Sequence, residues 1–297
     1  MKKVQLGKTG YLVSPVIYGG VASMGESQAD SDCYLARAVE AGVNYFDVAP
    51  SYGNAETIMG NSLKPYRKEV YLACKTQMRL GKEAEEELNQ SLRLLHTDWF
   101  DVYQLHAMTT PEDVETAFGP GGVMELLVKL REKGVVRKLG FSAHSERAAL
   151  ECLKRYPFDS VMFPLNWMLH MAQGKGGALG EAKSKQGFGL IGIKSIVERA
   201  WVSDAERQGS PWPKSWCKPI DAQQHTLRLA AIRYAFHLGA ETLIPPGNWE
   251  CGEFMLANIS ECLDHPYSRN DEALLLQQFQ KVKDQPFFQQ NNGGWPA

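Results

Sequence analysis

The sequence predicts an α/β fold: a (β/α)8 (TIM) barrel with an N-terminal β-hairpin and an extra C-terminal helix. Three observations point there. Short apolar, strand-like runs alternate with helical patterns eight times between Val16 and Ile244, and such alternation builds a mostly parallel sheet. A length of 297 residues suits eight such units closed into one barrel. No G-x-G-x-x-G follows the first strand, so an open dinucleotide-binding sheet lacks its phosphate loop. No low-complexity linker divides the chain, and residues 1–297 read as a single barrel domain.

The elements follow in order. The opening VQLGKTGYLVSP reads as a small hairpin, because Gly and Ser punctuate two short apolar stretches. A first strand lies near Val16–Tyr18. Asp32–Glu40 has helical spacing and stops at Ala41–Gly42, and Tyr45–Val48 is a strand. Glu56–Leu63 is a short helix before strand Val70–Cys74. In helix Glu83–Leu95, Leu88, Leu92 and Leu95 share one face while Glu85–Glu87 turn to solvent. Strand Phe100–Leu105, helix Gly122–Lys133, strand Val136–Ser142, helix Glu146–Tyr156 and strand Ser160–Leu165 come next. Gly177–Gln186, Leu190–Lys194, Gln223–Leu238 and Thr242–Ile244 complete the alternation, and a last helix near Asp271–Val282 precedes the tail PFFQQNNGGWPA. Met108–Gly122 and Val197–Ile220, the latter holding PWPKSW, are expected to be long loops.

Composition narrows the partners. A net charge of -2 leaves no electrostatic footprint for nucleic acid or an anionic membrane. No run approaches the ~18 apolar residues of a membrane span. The start MKKVQLGKTG has two lysines with no apolar stretch behind them, unlike a secretory signal. Six scattered cysteines lack any CxxC spacing and read as reduced thiols, so a cytoplasmic location is expected and no metal site is. Nothing indicates a homo-oligomer.

The chemistry gathers at strand ends. GVNYFDVAPSYG places Asp47 at the end of one strand and Tyr52 in the following loop; VYLACK ends at Lys75, and WFDVYQLH ends at His106. Alone, each has an ordinary structural explanation: a cap, a packed ring, a solvated amine, a hydrogen-bonded imidazole. At the carboxyl ends of consecutive parallel strands they converge on one mouth, where barrel chemistry sits. His144, after strand five, can reach that mouth. His96, His170, His225, His237 and His265 show no ligand spacing.

FDVAPSYG resembles the FDTA–x–x–YG segment of the aldo-keto reductases, a superfamily with many bacterial members. LRLLHTDWFDVYQLH, ACKT and KLREKGVVRKLGFSAHS resemble three further stretches of that family, in the right order. The resemblance covers essentially the whole chain. It implies an oxidoreductase that moves hydride between NADP, or alternatively NAD, and the carbonyl or alcohol of a small aldehyde, ketone or sugar. Tyr52 is then the general acid. Lys75 is expected to lower the phenol pKa from its usual value of about 10, Asp47 to keep Lys75 charged and aimed, and His106 to hydrogen-bond the carbonyl oxygen.

The resemblance also assigns cofactor positions. Ser142 keeps one nicotinamide hook, but Ala143 and Met162 stand where the family has Asn and Gln, and either Asn166 or His144 substitutes. Ile193 takes the place of a stacking tyrosine, with Lys194 beside it. Gly247 fits close approach to phosphate and Asn258 the position that reads adenine, while Phe254 replaces the Arg that pairs with a 2′-phosphate. Tyr18, Trp167 and Trp201 are expected to line the substrate pocket, or PWPKSW to pack on the barrel rim as a lid. Two other functions compete: a cofactor-bound regulatory subunit with little or no turnover, and a Schiff-base lyase using Lys75. The lyase needs a lysine free of a carboxylate partner, which Asp47 opposes.

Overall fold

The computed structural model describes residues 1–288. Eight parallel strands lie side by side in chain order: Tyr18–Gly19, Tyr45–Asp47, Tyr71–Thr76, Phe100–Met108, Val136–Ala143, Ser160–Pro164, Gly189–Ile193 and Thr242–Ile244. They are strands one to eight below. The ring closes where Ile17 N donates to the Leu243 carbonyl, 2.9 Å, and Leu243 N donates to the Pro15 carbonyl, 3.0 Å. Helices fill the crossovers, the expected (β/α)8 arrangement, and Arg269–Val282 is the extra C-terminal helix. No helix among the described residues is long and apolar enough to cross a membrane.

Successive strand residues face opposite ways. The inward set includes Ile17, Tyr45, Ala73, Val102, Met162 and Ile191, which form an apolar layer across the barrel. The hairpin Val4–Gln5/Leu12–Val13 adds Leu6 and Val13 to that layer. It seals the amino-terminal end: Gly7, at φ +44°, lies so close to strand seven that a Cβ would stand 2.2 Å from Gly189 N. Moving two residues along strands two, three and four from Tyr45, Ala73 and Val102 reaches Asp47, Lys75 and Gln104. Period two therefore carries these polar side chains into the barrel, one layer nearer its carboxyl-terminal mouth.

Two expected loops hold structure. Within Met108–Gly122, Pro111–Phe118 is a helix, started by a capping box between Thr110 and Asp113 with Pro111 in its first turn. Within Val197–Ile220, Val197–Arg199 pairs antiparallel with Lys218–Pro219, and Asp204–Gln208 is a short helix. Helix Trp167–Gln173 was not foreseen. Its first three residues are all buried, so it shows no amphipathic period, and its start is set by the Asn166 cap.

Strand four is anchored from outside the barrel. Asp101 accepts hydrogen bonds from Leu72 N on strand three, Arg67 and Arg137, each at 3.0 Å. The Trp99 ring lies between the Arg67 and Arg137 guanidiniums, 4.4 and 4.8 Å away. Removing one member of a buried ion pair strands the other's charge. Asp101→Ala should therefore lower unfolding free energy by about 3–5 kcal/mol in urea titration, and a loss under about 1 kcal/mol would show that the anchor is unimportant.

Candidate active site

Lys75 is fully buried and Asp47 nearly so. The Lys75 ammonium donates to the Asp47 carboxylate in a short ion pair and to the Tyr52 hydroxyl at 3.2 Å. Gln104 Nε2 donates to the other Asp47 oxygen at 3.4 Å. Burial works against the Lys75 charge, but the Asp47 carboxylate and the Tyr52 oxygen outweigh it, so the lysine pKa lies above its ordinary value. Lys75 stays an ammonium.

The same accounting corrects the expectation for Tyr52. Lys75 does pull the phenol pKa down, yet burial is the larger effect, and the net direction is upward. Tyr52 is a neutral phenol in this site.

His106 meets Tyr52 edge-on, with ring centroids 5.7 Å apart. Burial first, then the positive charges of Lys75, Arg79 and Lys194 and the neighbouring His144, push its pKa down to about 2. His144 is pushed to about 3 by burial, then by Lys194 and Lys175. Both imidazoles are neutral. The His106 carbonyl accepts a 2.8 Å bond from Arg79, whose Nε is held by Asp113 at 2.9 Å. Ala107 takes a left-handed φ of +58°, and its N–H donates to Ser142 Oγ at 2.8 Å. Strand four thus ends in a locked turn that presents the imidazole to the mouth.

Asp47, Tyr52 and His106 border a cleft of about 350 Å³, open to solvent at one side. Ser142, Ile193, Lys194 and Gly247 line it, together with His144 and Met162. Asn166 does not. Its carboxamide is consumed internally: Nδ2 donates to the Lys194 and Val197 carbonyls at 2.7 and 2.8 Å, and Oδ1 accepts from Met168 N and Leu169 N. Asn258 lies on helix Trp249–Asp264 outside the cleft and donates to the Phe254 carbonyl at 2.7 Å.

Nor do the three expected pocket aromatics line the cleft. Tyr18 packs on Phe46 and Trp249 and hydrogen-bonds Ser23 at 2.8 Å. Trp167 is fully buried. Trp201 donates its indole N–H to the Ser215 carbonyl at 2.9 Å, bracing the long loop. The aromatic walls are instead Trp216, half exposed and 5.8 Å from the Tyr52 ring, and Phe288, stacked on His144 at 4.3 Å. Trp216 belongs to PWPKSW, a visible signal. Phe288 carried no local signal, because its place depends on the chain returning to the mouth after the last helix.

The PWPKSW loop does pack on the rim. The Lys214 ammonium pairs with Glu26 and donates to the Ala22 carbonyl at 3.1 Å, while its backbone N–H donates to Asn248 Oδ1 at 3.1 Å. The loop crosses Gly247 so closely that a Cβ there would stand 2.7 Å from Val21 Cγ1 and 2.9 Å from the Lys214 carbonyl oxygen.

Residues 15–244 match the model of the Aldo/keto reductase family. The uncharacterized oxidoreductase YqkF of Bacillus subtilis (strain 168) is 29% identical over 176 residues, 54% of this chain and 55% of that protein. Methylglyoxal reductase YeaE of Escherichia coli (strain K12) is 32% identical over 149 residues, 48% of this chain and 50% of that protein. The chain spans about half the length of the curated relatives it matches. In fold it is similar to aldo-keto reductase AKR11C1 from Bacillus halodurans (holo form), with a TM-score of 0.68 and 21% identity over 97% of this chain and 98% of that one. Because the family match extends over most of its length, from strand one through strand eight, the chain belongs to the aldo/keto reductase family.

Proposed function

We propose that this protein is a nicotinamide-dependent reductase of small aldehydes, ketones or sugar carbonyls, using NADPH or alternatively NADH, with Tyr52 as proton donor. One observation carries the reading: a neutral phenol lies 3.2 Å from a permanently charged, fully buried ammonium at the mouth of the barrel. A cleft of about 350 Å³ falls within the ~300–1,000 Å³ of a small-molecule site, which supports room for the reacting end of a cofactor beside a small substrate. Gly247 lines the same cleft, and its lack of a side chain supports a phosphate passing close to backbone there. Ser142 and Ile193 would hold the nicotinamide end and Gly247 the phosphate end.

When bound, the cofactor supplies the hydride. The chain's own residues handle the proton. Tyr52 gives its phenolic proton to the carbonyl oxygen as that oxygen gains charge. Lys75, held by Asp47, stabilises the phenolate left behind. His106, neutral, offers a ring N–H to the same carbonyl oxygen, and Ser51 Oγ lies 3.5 Å from its Nδ1. Trp216 and Phe288 exclude water from one side.

Purified protein should consume NADPH or NADH in the presence of small aldehydes. Cofactor binding without turnover would favour the regulatory-subunit reading instead. Tyr52→Phe should lower kcat by ~10²–10⁴, and an unchanged kcat would remove Tyr52 from the mechanism.

The pH dependence has a defined sign. Reduction uses the protonated phenol, so the rate is full below the Tyr52 pKa and falls as pH rises through it, beyond the ordinary value of about 10. His106, with its pKa near 2, contributes no change at neutrality. For a neutral aldehyde, kcat should stay flat between about pH 5 and 9. A limb centred near the ordinary histidine value of about 6.5 would mean that His106 titrates during turnover.

A further inference from the structure

Lys194 is a cation without a counter-charge. Among the described residues its ammonium makes no hydrogen bond or ion pair, and its one close partner is the Phe288 ring, 4.9 Å from Nζ. The ionisable groups that share the cleft do not neutralise it. Asp47, the only carboxylate lining the cleft among the described residues, is held by Lys75. His106 and His144 are neutral. Burial pushes the Cys217 thiol up, so it stays protonated.

The backbone holds this charge in place. Lys194 takes a left-handed φ of +63°, a strained conformation for a lysine that persists only where its surroundings impose it. Asn166 imposes it, by donating to the Lys194 carbonyl at 2.7 Å while capping the next helix. Asn166 is thus a positioning residue for Lys194.

The side chain turns toward the wall made by Phe288 and by His144, which follows strand five. The Gly247 cradle follows strand eight, three places further around the ring. Lys194 therefore faces the side of the cleft that holds His144 and Phe288, near enough to His106 for its charge to help depress that imidazole's pKa.

We propose that the Lys194 ammonium receives a carboxylate carried by the carbonyl substrate, so that the cleft prefers aldehydes or ketones that bear an acid group. This rests on the reductase reading above. The carbonyl would point at Tyr52 and His106 and the carboxylate at Lys194, within the length of a small molecule. Burial has already drawn the Lys194 pKa down to about 8, so the ammonium is mostly charged at neutrality, and an arriving anion stabilises it further. The competing source of an anion is a cofactor phosphate, and the test separates the two.

para-Carboxybenzaldehyde and its methyl ester present the same ring and carbonyl with and without the charge. For the wild type, Lys194→Gln and Lys194→Arg, kcat/KM on both aldehydes and the NADPH dissociation constant by fluorescence titration would be measured. The wild type should favour the acid. Lys194→Gln should lose about 10- to 100-fold of the acid-over-ester ratio, chiefly through KM, while Lys194→Arg retains most of it and NADPH affinity holds. An unchanged ratio overturns the proposal. So does a loss shared equally by both aldehydes and matched by weaker NADPH binding, which would assign Lys194 to the cofactor. Turnover of the ester with no preference for the acid rejects this inference and leaves the reductase reading standing; turnover of neither removes both.

Discussion

The ion pair between Lys75 and Asp47 is the constraint around which the mouth is arranged. An amine with no solvent contact is tolerable only when an opposite charge and further hydrogen bonds replace its water. Each neighbour answers that requirement. Asp47 takes one ammonium proton, Tyr52 another, and Gln104 supports the far carboxylate oxygen. None of this holds without the parallel register that sets Asp47 opposite Ala73 and Lys75 opposite Gln104. The closed sheet is what brings four residues from three separate stretches into one small volume.

The electrostatics of the mouth then divide cleanly. Lys194 apart, the titratable groups around the reacting position are fixed in one form at neutral pH: two imidazoles and a phenol without charge, and a lysine–aspartate pair with its charges internally matched. Such a site avoids the cost of rearranging dipoles while a proton moves, the benefit of a preorganised polar environment.

Much of this was legible in the sequence because strand periodicity is strict. Asp47 two residues after Tyr45, and Lys75 two after Ala73, must share a face with those apolar neighbours, and strand order followed from the alternation of elements. Direction in space was harder. Tyr18, Trp167 and Trp201 look like pocket aromatics by composition, but a ring's identity says nothing about which side of a loop it occupies. Asn166 could serve a ligand or its own backbone, and the helix start after it, missed from its uniformly apolar opening, decided the matter. The Thr110–Asp113 capping box was a readable start signal inside a segment taken for a loop. The pKa of Tyr52 turned on burial, a quantity that sequence spacing does not contain.

The wall supplied by Phe288 is borrowed from outside the barrel. It is tied down by Lys175 donating to its carbonyl at 2.7 Å, by Ala200 N–H donating to Gln285, and by its stack on His144. None of these contacts belongs to the strand ladder. The frame and the ligand-facing rim are therefore separable inheritances: descendants can trade residues 285–288 for a differently shaped edge, and the eight-stranded cylinder beneath is left undisturbed.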